Sequence, residues 1–355
     1  MRATRKRPRK SPACRARPRP ATFIPRRSEV GGSLRRRGTT GARRCFSRGR
    51  PWTRFTISGY FQRPAHLVAQ QKGLFAAEGL EVGFHLVGLA PEHNREMAEG
   101  RWPMTLSSAD TMVARATQDG IDYVLVMQAE TGLNVQLVVG PGIAGFDDLR
   151  GKLLAADPVD SNFDAIRNKM MVDHGITEDQ YLTEIIGNTP ARLEAFLAGK
   201  VAAAMLSPPH TDKALAAGAK VLAEGADYVA RWPLACAWGR RGWIEANRPL
   251  VVRFIRAWVA ATDWLLAPAN REEALALMIG QGLNPARAAQ AHSHMVPKAA
   301  IDAEGIRANI ALRIELGYYH PPHKPTEAFY DASYWAKATG LPPPAPVGLA
   351  DNAVT

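Results

Sequence analysis

The sequence predicts an α/β fold built from two similar halves. From residue 54 onward, short apolar segments with strand character alternate with amphipathic helical segments, a pattern typical of sheets whose strands are connected by helices. Residues 197–208 (LAGKVAAAMLSP) repeat the plan of residues 98–108 (AEGRWPMTLSS): a helix end, a glycine, a short strand, a serine and a new helix start. A chain of 355 residues is also long enough for two cores. These observations predict two βα lobes in one chain.

The elements of the first half are predicted in a regular order, with strands at 55–58, 80–86, 104–106, 122–128 and 134–139 and helices from Pro64 onward and over 92–99 and 109–118. A glycine-rich linker at 140–145 precedes the second series, with strands at 152–156, 201–206, 220–222 and 234–238 and helices over 163–173, 190–198 and 211–217. The last part is predicted as helices over 249–266, 271–279, 285–292, 303–316 and 326–338, followed by a Pro-rich C-terminal tail at 341–355.

The net charge of +12 is concentrated in one segment. Residues 1–50 hold 16 Arg and 2 Lys against one acid, Glu29, so they carry +17 and the remainder carries −5. Residues 1–52 have no apolar periodicity, and we predict a disordered tail. Three interpretations stay open: a basic arm for nucleic acid or an anionic membrane, a targeting sequence, and a mis-assigned start. Because the remainder is mildly acidic, no nucleic-acid partner is expected for the folded body.

Cysteine usage argues against a disulfide-stabilised body, and hydropathy argues against a membrane-spanning protein. Cys14 and Cys45 lie in the tail and Cys236 is the only cysteine of the body, so the body forms no internal disulfide. No window reaches about 18 uninterrupted apolar residues, so no transmembrane helix is predicted.

Serines follow strands at three predicted strand-to-helix junctions. Ligands of open α/β sheets bind beyond the carboxyl ends of the strands, where helix N-termini offer free N–H groups. The candidate ligand-binding residues at these junctions are Ser107, Ser108, Asp160, Ser161, Asn162 and Ser207. Simple helix capping is the alternative role for each serine.

Helix ends alone contribute too little free energy for micromolar binding, so aromatic contacts are also expected. The aromatic candidates are Tyr60, Phe61, Phe163, Trp232 and Trp238, of which Tyr60 is preferred because it follows Gly59 at a strand end. Asp110, Gln128 and Glu130 are candidates for polar selectivity, with a structural role of Asp110 at its helix start as the alternative.

Motifs for metals, cofactors and catalysis are weak. His292 and His294, and His320 and His323, lack both the helical i, i+4 spacing and the accompanying ligands of a metal site. The chain has no glycine-rich phosphate loop and no Gly-x-Ser-x-Gly elbow. We therefore expect no metal, no cofactor and no catalytic residues.

Four segments resemble one family of solute-binding proteins of ABC importers, the nitrate/sulfonate/taurine and thiamine-precursor family. Residues 65–82 (AHLVAQQKGLFAAEGLEV) resemble its first helix and second strand, and residues 146–152 (FDDLRGK) resemble the opening of its second lobe. Residues 190–201 (PARLEAFLAGKV) are similar to the helix and strand before its inter-lobe contact, and residues 247–258 (NRPLVVRFIRAW) to its long return helix. The blocks occur in the family's order and cover about residues 54–340.

The resemblance implies a two-lobed type II periplasmic-binding-protein fold. Lobe 1 would comprise 53–140 plus 238–340 and lobe 2 would comprise 141–237, joined by two crossing strands. The implied function is capture of a small organic ligand, anionic or heteroaromatic, for an ABC permease. A monomer in the periplasm or outside the cell is implied, although no signal peptide is recognisable and a cytoplasmic location stays open.

An enzyme on the same scaffold is the alternative function. Fungal thiamine-pyrimidine synthases resemble this chain in the first helix and use a histidine after the third strand. Here the corresponding segment, residues 107–113 (SSADTMV), has Asp110 and no histidine, and the Cys-rich run of those enzymes is missing. A decarboxylase or lyase stays open.

Overall fold

The computed structural model describes residues 52–159 and 161–348. The predicted N-terminal tail, apart from Trp52, the candidate Asp160 and the last seven residues of the C-terminal tail therefore lie outside the described residues.

Ten strands are described: β1 (Thr53–Gly59), β2 (Leu80–Leu86), β3 (Thr105–Ser107), β4 (Tyr123–Thr131), β5 (Gln136–Val139), β6 (Leu153–Ala156), β7 (Leu182–Ile185), β8 (Ala203–Leu206), β9 (Lys220–Glu224) and β10 (Pro233–Arg240). They form two five-stranded sheets, with the orders β2-β1-β3-β10-β4 and β7-β6-β8-β5-β9. The predicted α/β class is confirmed.

The helices are α1 (Pro64–Gln71), α2 (Leu74–Ala77), α3 (Ala90–Glu99), α4 (Ala109–Gln118), α5 (Asn162–Asp173), α6 (Thr189–Leu197), α7 (His210–Ala216), α8 (Gly225–Tyr228), α9 (Arg241–Ala246), α10 (Arg248–Leu266), α11 (Arg271–Gly280), α12 (Pro285–Ser293), α13 (Ala303–Glu315) and α14 (Ser333–Thr339). Short 3-10 turns occur at Phe146–Leu149, Glu178–Gln180, Pro268–Asn270, Pro297–Ala299 and Thr326–Ala328.

The predicted lobe boundaries need a correction of a few residues at each crossing. Strand β5 was assigned to lobe 1 and pairs in the second sheet with β8 and β9. Strand β10 begins at Pro233 and pairs with β3 and β4 of the first sheet, so residues 233–237 do not belong to lobe 2. The chain thus passes between the sheets at residues 132–135 and 225–232. The error arose because each crossing continues directly into a strand, so no change in apolar pattern marks it.

Four short elements and one helix end differ from the prediction. Edge strand β7 was not predicted because its sequence, Leu-Thr-Glu-Ile, lacks the apolar alternation on which strand prediction depends, in keeping with the exposure of all four residues. The short helices α2, α8 and α9 were also missed. The last predicted helix, 326–338, is a 3-10 turn at Thr326–Ala328 and then α14, separated by a turn around Asp331, whose carboxylate accepts from the N–H of Ser333.

Each lobe has its own core. In the first lobe, Phe254 and Trp258 of the amphipathic helix α10 pack on Phe55 and Phe75, with centroid distances of 5.7 Å between Phe55 and Phe254 and 5.9 Å between Phe75 and Phe254. In the second lobe, Leu137, Leu154 and Met205 of the sheet pack with apolar residues of α5. Among the described residues, no helix is both long enough and apolar enough to cross a membrane.

Helix α13 contacts both lobes. Arg313 on this helix donates to Asp110 of α4 in lobe 1, while Glu315 accepts from Lys169 of α5 in lobe 2. Just after the helix, the hydroxyl of Tyr318 donates to Asp164 of α5 over 2.9 Å. The C-terminal part of the chain therefore adds a non-covalent connection between the lobes.

Candidate functional site

Strand directions place a gap between two facing sheet edges. In the first sheet β1, β2 and β3 are parallel and β10 runs antiparallel to β3 and β4, so the ends of β1, β3 and β4 lie on one edge. In the second sheet, the ends of β6, β7 and β8 lie on one edge beside the start of β5. Both crossings connect these two edges, and the N–H of Gly132 in one crossing donates to the carbonyl of Trp232 in the other over 2.9 Å. Strand ends of both lobes therefore border one gap.

Ser107 and Ser207 lie on opposite sides of this gap. Ser107 ends β3 and is buried opposite Cys236 of β10, and Ser207 follows β8 directly. The carbonyl of Ser207 accepts from the N–H of His210 over 2.9 Å and so starts α7. The two serines that the internal sequence repeat singled out thus lie at strand ends that border the gap.

Ser108 and Ser161 are helix caps. The hydroxyl of Ser108 accepts from the N–H of Thr111 and that of Ser161 from the N–H of Asp164, both over 3.1 Å. The first turns of α4 and α5 also carry their own acids, Asp110 and Asp164. Because these carboxylates already complement the helix dipoles, the two helix ends offer less to an anionic ligand than their positions in the sequence suggested.

An ion pair on the lobe 1 side links Arg63, before α1, to Glu130, near the end of β4. The Arg63 Nη1 to Glu130 Oε2 distance is 2.5 Å, and both side chains are largely buried. The Nε of Arg63 has no hydrogen-bond partner within the described part of the chain. The guanidinium therefore has a buried donor left over for another group.

A second ion pair lies on the lobe 2 side, directly after β6. Asp157 Oδ1 lies 2.8 Å from Nη1 of Arg192, whose guanidinium is fully buried and also donates to the carbonyls of Met205 and Gly187. The same guanidinium lies 5.1 Å from the ring centroid of Phe163, which is half-buried. Arg192 is thus fixed in place from several sides, and it orients Asp157.

Asp157 has an unusual protonation equilibrium and an unused oxygen. Burial outweighs the attraction of Arg192 and raises the pKa of Asp157 to about 6. Its Oδ2 is buried without a hydrogen-bond partner among the residues that the structure describes. Asp157 can therefore accept a hydrogen bond from a group placed in the gap.

Tyr60 comes from lobe 1 and lies within electrostatic range of Asp157 of lobe 2. Burial, with a smaller contribution from the charge of Asp157, raises the pKa of Tyr60 to about 12, so its hydroxyl stays neutral. Its ring packs edge-on against His93 with the centroids 5.8 Å apart. The neighbouring Phe61 is 67% exposed, and its ring lies 5.7 Å from the guanidinium carbon of Arg63. Of the two predicted aromatic residues, Tyr60 is thus the inner one and Phe61 the outer one.

Four predicted residues are not available to a ligand, which corrects the sequence prediction. Asp110 accepts two hydrogen bonds of 2.7 Å from Arg313, and both residues are 0% exposed. Gln128 is buried and accepts from the N–H of Asp302. Trp238 packs against Tyr123 in the core, at 5.0 Å between centroids, and Trp232 lies in the core of lobe 2. These residues were selected by residue type and by their proximity to a strand end. Neither criterion distinguishes a side chain that packs in the core from one that borders the gap.

Asn162 and Asp160 complete the predicted set. Asn162 is the first residue of α5 and is half-buried. Asp160 lies outside the described residues.

A polar cavity of about 250 Å³ opens between the lobes beside the crossings. Its walls include Asn134, Gln136, Pro208, Glu224, Arg287 and Gln290. Arg287 of α12 in lobe 1 pairs with Asp212 of α7 in lobe 2, at 2.6 Å between Nη2 and Oδ1. Gln290 Nε2 donates to Asn134 Oδ1 over 3.3 Å. These contacts hold the two lobes together at this side of the gap.

Sequence reasoning missed Arg63, Asp157, Arg192 and Arg287. Each is a charged residue whose partner is distant in the sequence, 35 positions away for Asp157 and Arg192 and 67 for Arg63 and Glu130. Asp157 alone carried a usable signal, since it directly follows a predicted strand whose carboxyl end should border the gap.

A serine–histidine pair near the gap is buried behind it. Ser58 Oγ and His93 Nε2 are 2.9 Å apart, but Ser58 is 0% exposed and burial lowers the pKa of His93 to about 4. A nucleophile must reach its substrate, so this pair has a structural role. Among residues 52–159 and 161–348, no group of three potential metal ligands is found.

Two sheets that border one gap and are joined by two crossings define the class of two-lobed solute-binding folds. The family model described as NMT1/THI5 like matches residues 62–272, which is more than half of the chain. This chain therefore belongs to the NMT1/THI5-like family, and the family resemblance seen in the sequence is confirmed. No curated protein matches it in sequence.

Solved structures share this fold at low sequence identity. The alkanesulfonate-binding protein SsuA from Xanthomonas axonopodis pv. citri, bound to MOPS, has a TM-score of 0.61 at 17% identity, covering 82% of this chain and 99% of that chain. A Candida albicans protein with the generic periplasmic binding protein fold has a TM-score of 0.65 at 13% identity, covering 79% and 96%. The desulfurization enzyme DszB has a TM-score of 0.61 at 13% identity, covering 81% and 99%. At these identities the similarity shows the fold alone.

Proposed function

We propose that the protein captures a small organic solute between its two lobes and delivers it to an ABC importer. The observation that carries this proposal is the pair of ion pairs on opposite sides of one gap, Arg63–Glu130 and Asp157–Arg192, each with a buried polar atom that lacks a partner among the described residues. A solute that satisfies both atoms contacts both lobes, and it therefore favours the closed form.

The charge balance of the gap favours a solute with both an acceptor and a donor group. Arg63 offers a donor at Nε and Asp157 offers an acceptor at Oδ2, and each residue is already paired with an opposite charge. A simple inorganic anion such as nitrate uses only the donor. An organic sulfonate with a hydroxyl or amino group, or an aminated heteroaromatic ring, can use both groups and can contact Tyr60.

The same arrangement supports binding rather than catalysis. The Ser58–His93 pair is enclosed, and Asp157 is held in place by Arg192. We propose that the solute leaves unchanged, toward permease subunits that bind a monomer of this protein. The family resemblance supports an action in the periplasm or outside the cell.

The proposal is tested by a thermal-shift screen of the full chain against aminated and non-aminated alkanesulfonates, aminopyrimidines and nitrate. A true solute at about 100 times its dissociation constant stabilises the protein by about 2.7 kcal/mol. Asp157→Asn is expected to weaken a hit at least tenfold, because the ring or ammonium donor loses a charged acceptor. The control Asp147→Asn removes an acid whose side chain is 88% exposed, and it leaves the affinity unchanged.

Two outcomes contradict the proposal. Equal affinity in Asp157→Asn and Asp147→Asn removes the gap as the binding site. If mass spectrometry shows that the protein converts a hit into a product, the protein is an enzyme on this scaffold. Light scattering of the purified chain tests the monomer.

A further inference from the structure

A second cavity, of about 570 Å³, lies at the end of lobe 1 that is remote from the gap. Thr53, the first residue of β1, is part of its wall, and Gly59 at the other end of β1 borders the gap. A strand rises about 3.3 Å per residue, so the two sites are about 20 Å apart. The cavity is therefore separate from the proposed solute site.

Four cationic side chains line this cavity: Arg248, Arg253 and Arg256 from the first half of α10, and Lys337 of α14. Within the part of the chain that the structure describes, these four share a single ion pair, between Arg256 and Glu78 at 2.9 Å. We call these four residues the basic cavity cluster.

Two of the arginines are held in place by neutral groups. Arg253 donates to the carbonyls of Glu78 and Pro249, over 3.0 and 3.3 Å, and to the hydroxyl of Thr53. Arg248 donates to the hydroxyl of Ser333 over 2.7 Å and lies 4.2 Å from the ring centroid of Tyr334. Their charges are thus positioned, while no carboxylate of residues 52–159 or 161–348 forms an ion pair with either of them.

This arrangement is unfavourable for the fold by itself. Like charges close together repel, and the first turn of α10 contains no acid to complement the positive end of the helix. Positions that break the rules of local stability without a compensating contact are frequent at functional sites. The contacts of Arg248 and Arg253 with neutral groups do not offset this positive charge, and an anion bound in the cavity would do so.

We propose that the basic cavity cluster binds a phosphate-type anion. Four cations against one acid match a doubly charged group better than a singly charged sulfonate or carboxylate, and guanidinium groups bind phosphate oxygens in pairs. Pro249 and Val252 give the wall an apolar part that suits an organic substituent on the phosphate. A free phosphate ester and an anionic lipid headgroup share this chemistry.

Binding is measured by calorimetry of the full chain with pyrophosphate as the probe, at constant ionic strength. Lys337→Gln is expected to weaken binding about five- to tenfold, because one cation is lost from the site. Lys324→Gln is the matched control, since both lysines are exposed and neither forms an ion pair with a described residue. Without pyrophosphate, Lys337→Gln also raises the melting temperature relative to Lys324→Gln, because repulsion in the cluster is relieved.

Vesicles distinguish the two sources of phosphate. The full chain is sedimented with phosphatidylcholine vesicles that contain phosphatidic acid, and the readout is the difference between Lys337→Gln and Lys324→Gln, which both retain the Arg-rich residues 1–50. A specific loss in Lys337→Gln assigns the lipid headgroup. Equal vesicle binding together with a specific loss for pyrophosphate assigns a free ester.

The proposal is overturned if the two variants are equal in both assays. The failure of this proposal is distinguishable from the failure of the solute site, because Asp157→Asn is expected to change solute affinity and to leave pyrophosphate binding unchanged.

Discussion

The pairs Asp110–Arg313 and Asp157–Arg192 are built from the same chemical groups and differ in their surroundings. In the first pair both carboxylate oxygens accept hydrogen bonds from the arginine, and both residues are 0% exposed. In the second pair one carboxylate oxygen contacts the arginine and the other has no partner within the described residues. The first pair joins two helices, whereas the second offers an acceptor to the gap.

The comparison shows that an acid beyond a strand end is a ligand candidate only when its hydrogen-bonding capacity is not already used. Asp110 is in the first turn of α4, and Arg313 of α13 donates to both of its carboxylate oxygens. Asp157 precedes the first turn of α5 by several residues, and its charge contributes to the raised pKa of Tyr60. The following predictions test this difference, beginning with the largest expected effect.

Asp110→Ala is expected to lower the free energy of unfolding by about 3–5 kcal/mol, because it leaves Arg313 buried without its carboxylate. Urea unfolding followed by circular dichroism measures the change, with Asp147→Ala as an exposed control. A loss below about 1 kcal/mol would show that the buried pair does not hold α13 in place.

Asp157→Asn is expected to make the loss of stability in acid steeper, by up to about 3 kcal/mol. Burial lowers the pKa values of His66 and His93 to about 4, so the neutral rings stabilise the fold fully above about pH 6.5, and this contribution is lost as the pH falls to 4. The raised pKa of Asp157, about 6, acts in the opposite direction, because its protonation at low pH favours the folded state.

The measurement is the free energy of unfolding between pH 4 and 7 for the unchanged protein and for Asp157→Asn. If the two curves of unfolding free energy against pH are parallel, the pKa of Asp157 in the folded protein is not raised, and the prediction is wrong.

Trp238→Phe is expected to lower stability by about 1–3 kcal/mol and to leave solute affinity unchanged, because Trp238 packs in the core against Tyr123. Calorimetry with a solute from the screen makes the test. A change in solute affinity without a change in stability would show that Trp238 belongs to the binding site.

Arg287→Gln is expected to have the smallest effect on stability, about 0.2–1 kcal/mol, since its pair with Asp212 is partly exposed. Because the pair joins the two lobes, solute affinity should fall by a few fold as the closed form becomes less favoured. A double-mutant cycle with Asp212→Asn measures the coupling. No coupling would show that the pair does not contribute to closure.

The sequence was sufficient for the fold because its main signals are local. The apolar face of α10 and the repeated sequence pattern around Ser107 and Ser207 depend on spacing over a few residues, and they predicted α10 and the two matching strand-to-helix junctions. Edge strand β7, with four exposed residues, gave no such signal.

The site could be predicted only in part, because its polar contacts join distant segments. Tyr60 and Glu130 were selected because they lie near strand ends, and they remain predicted ligand residues. The arginines that orient the carboxylates of Glu130 and Asp157 could not be selected in this way, because they are 67 and 35 positions from their partners. Whether a tryptophan such as Trp238 faces the core or the gap depends on packing, which spacing does not encode.

The contact of α13 with both lobes constrains how the protein can move. Arg313 connects this helix to α4, Glu315 at its end connects it to α5 through Lys169, and Tyr318 just after it donates to Asp164 of α5. A hinge normally leaves its two bodies free to swing apart around the connecting chain segments. A wide swing of the two lobes would break these contacts, so we expect that the proposed solute entry involves a rotation small enough to keep them.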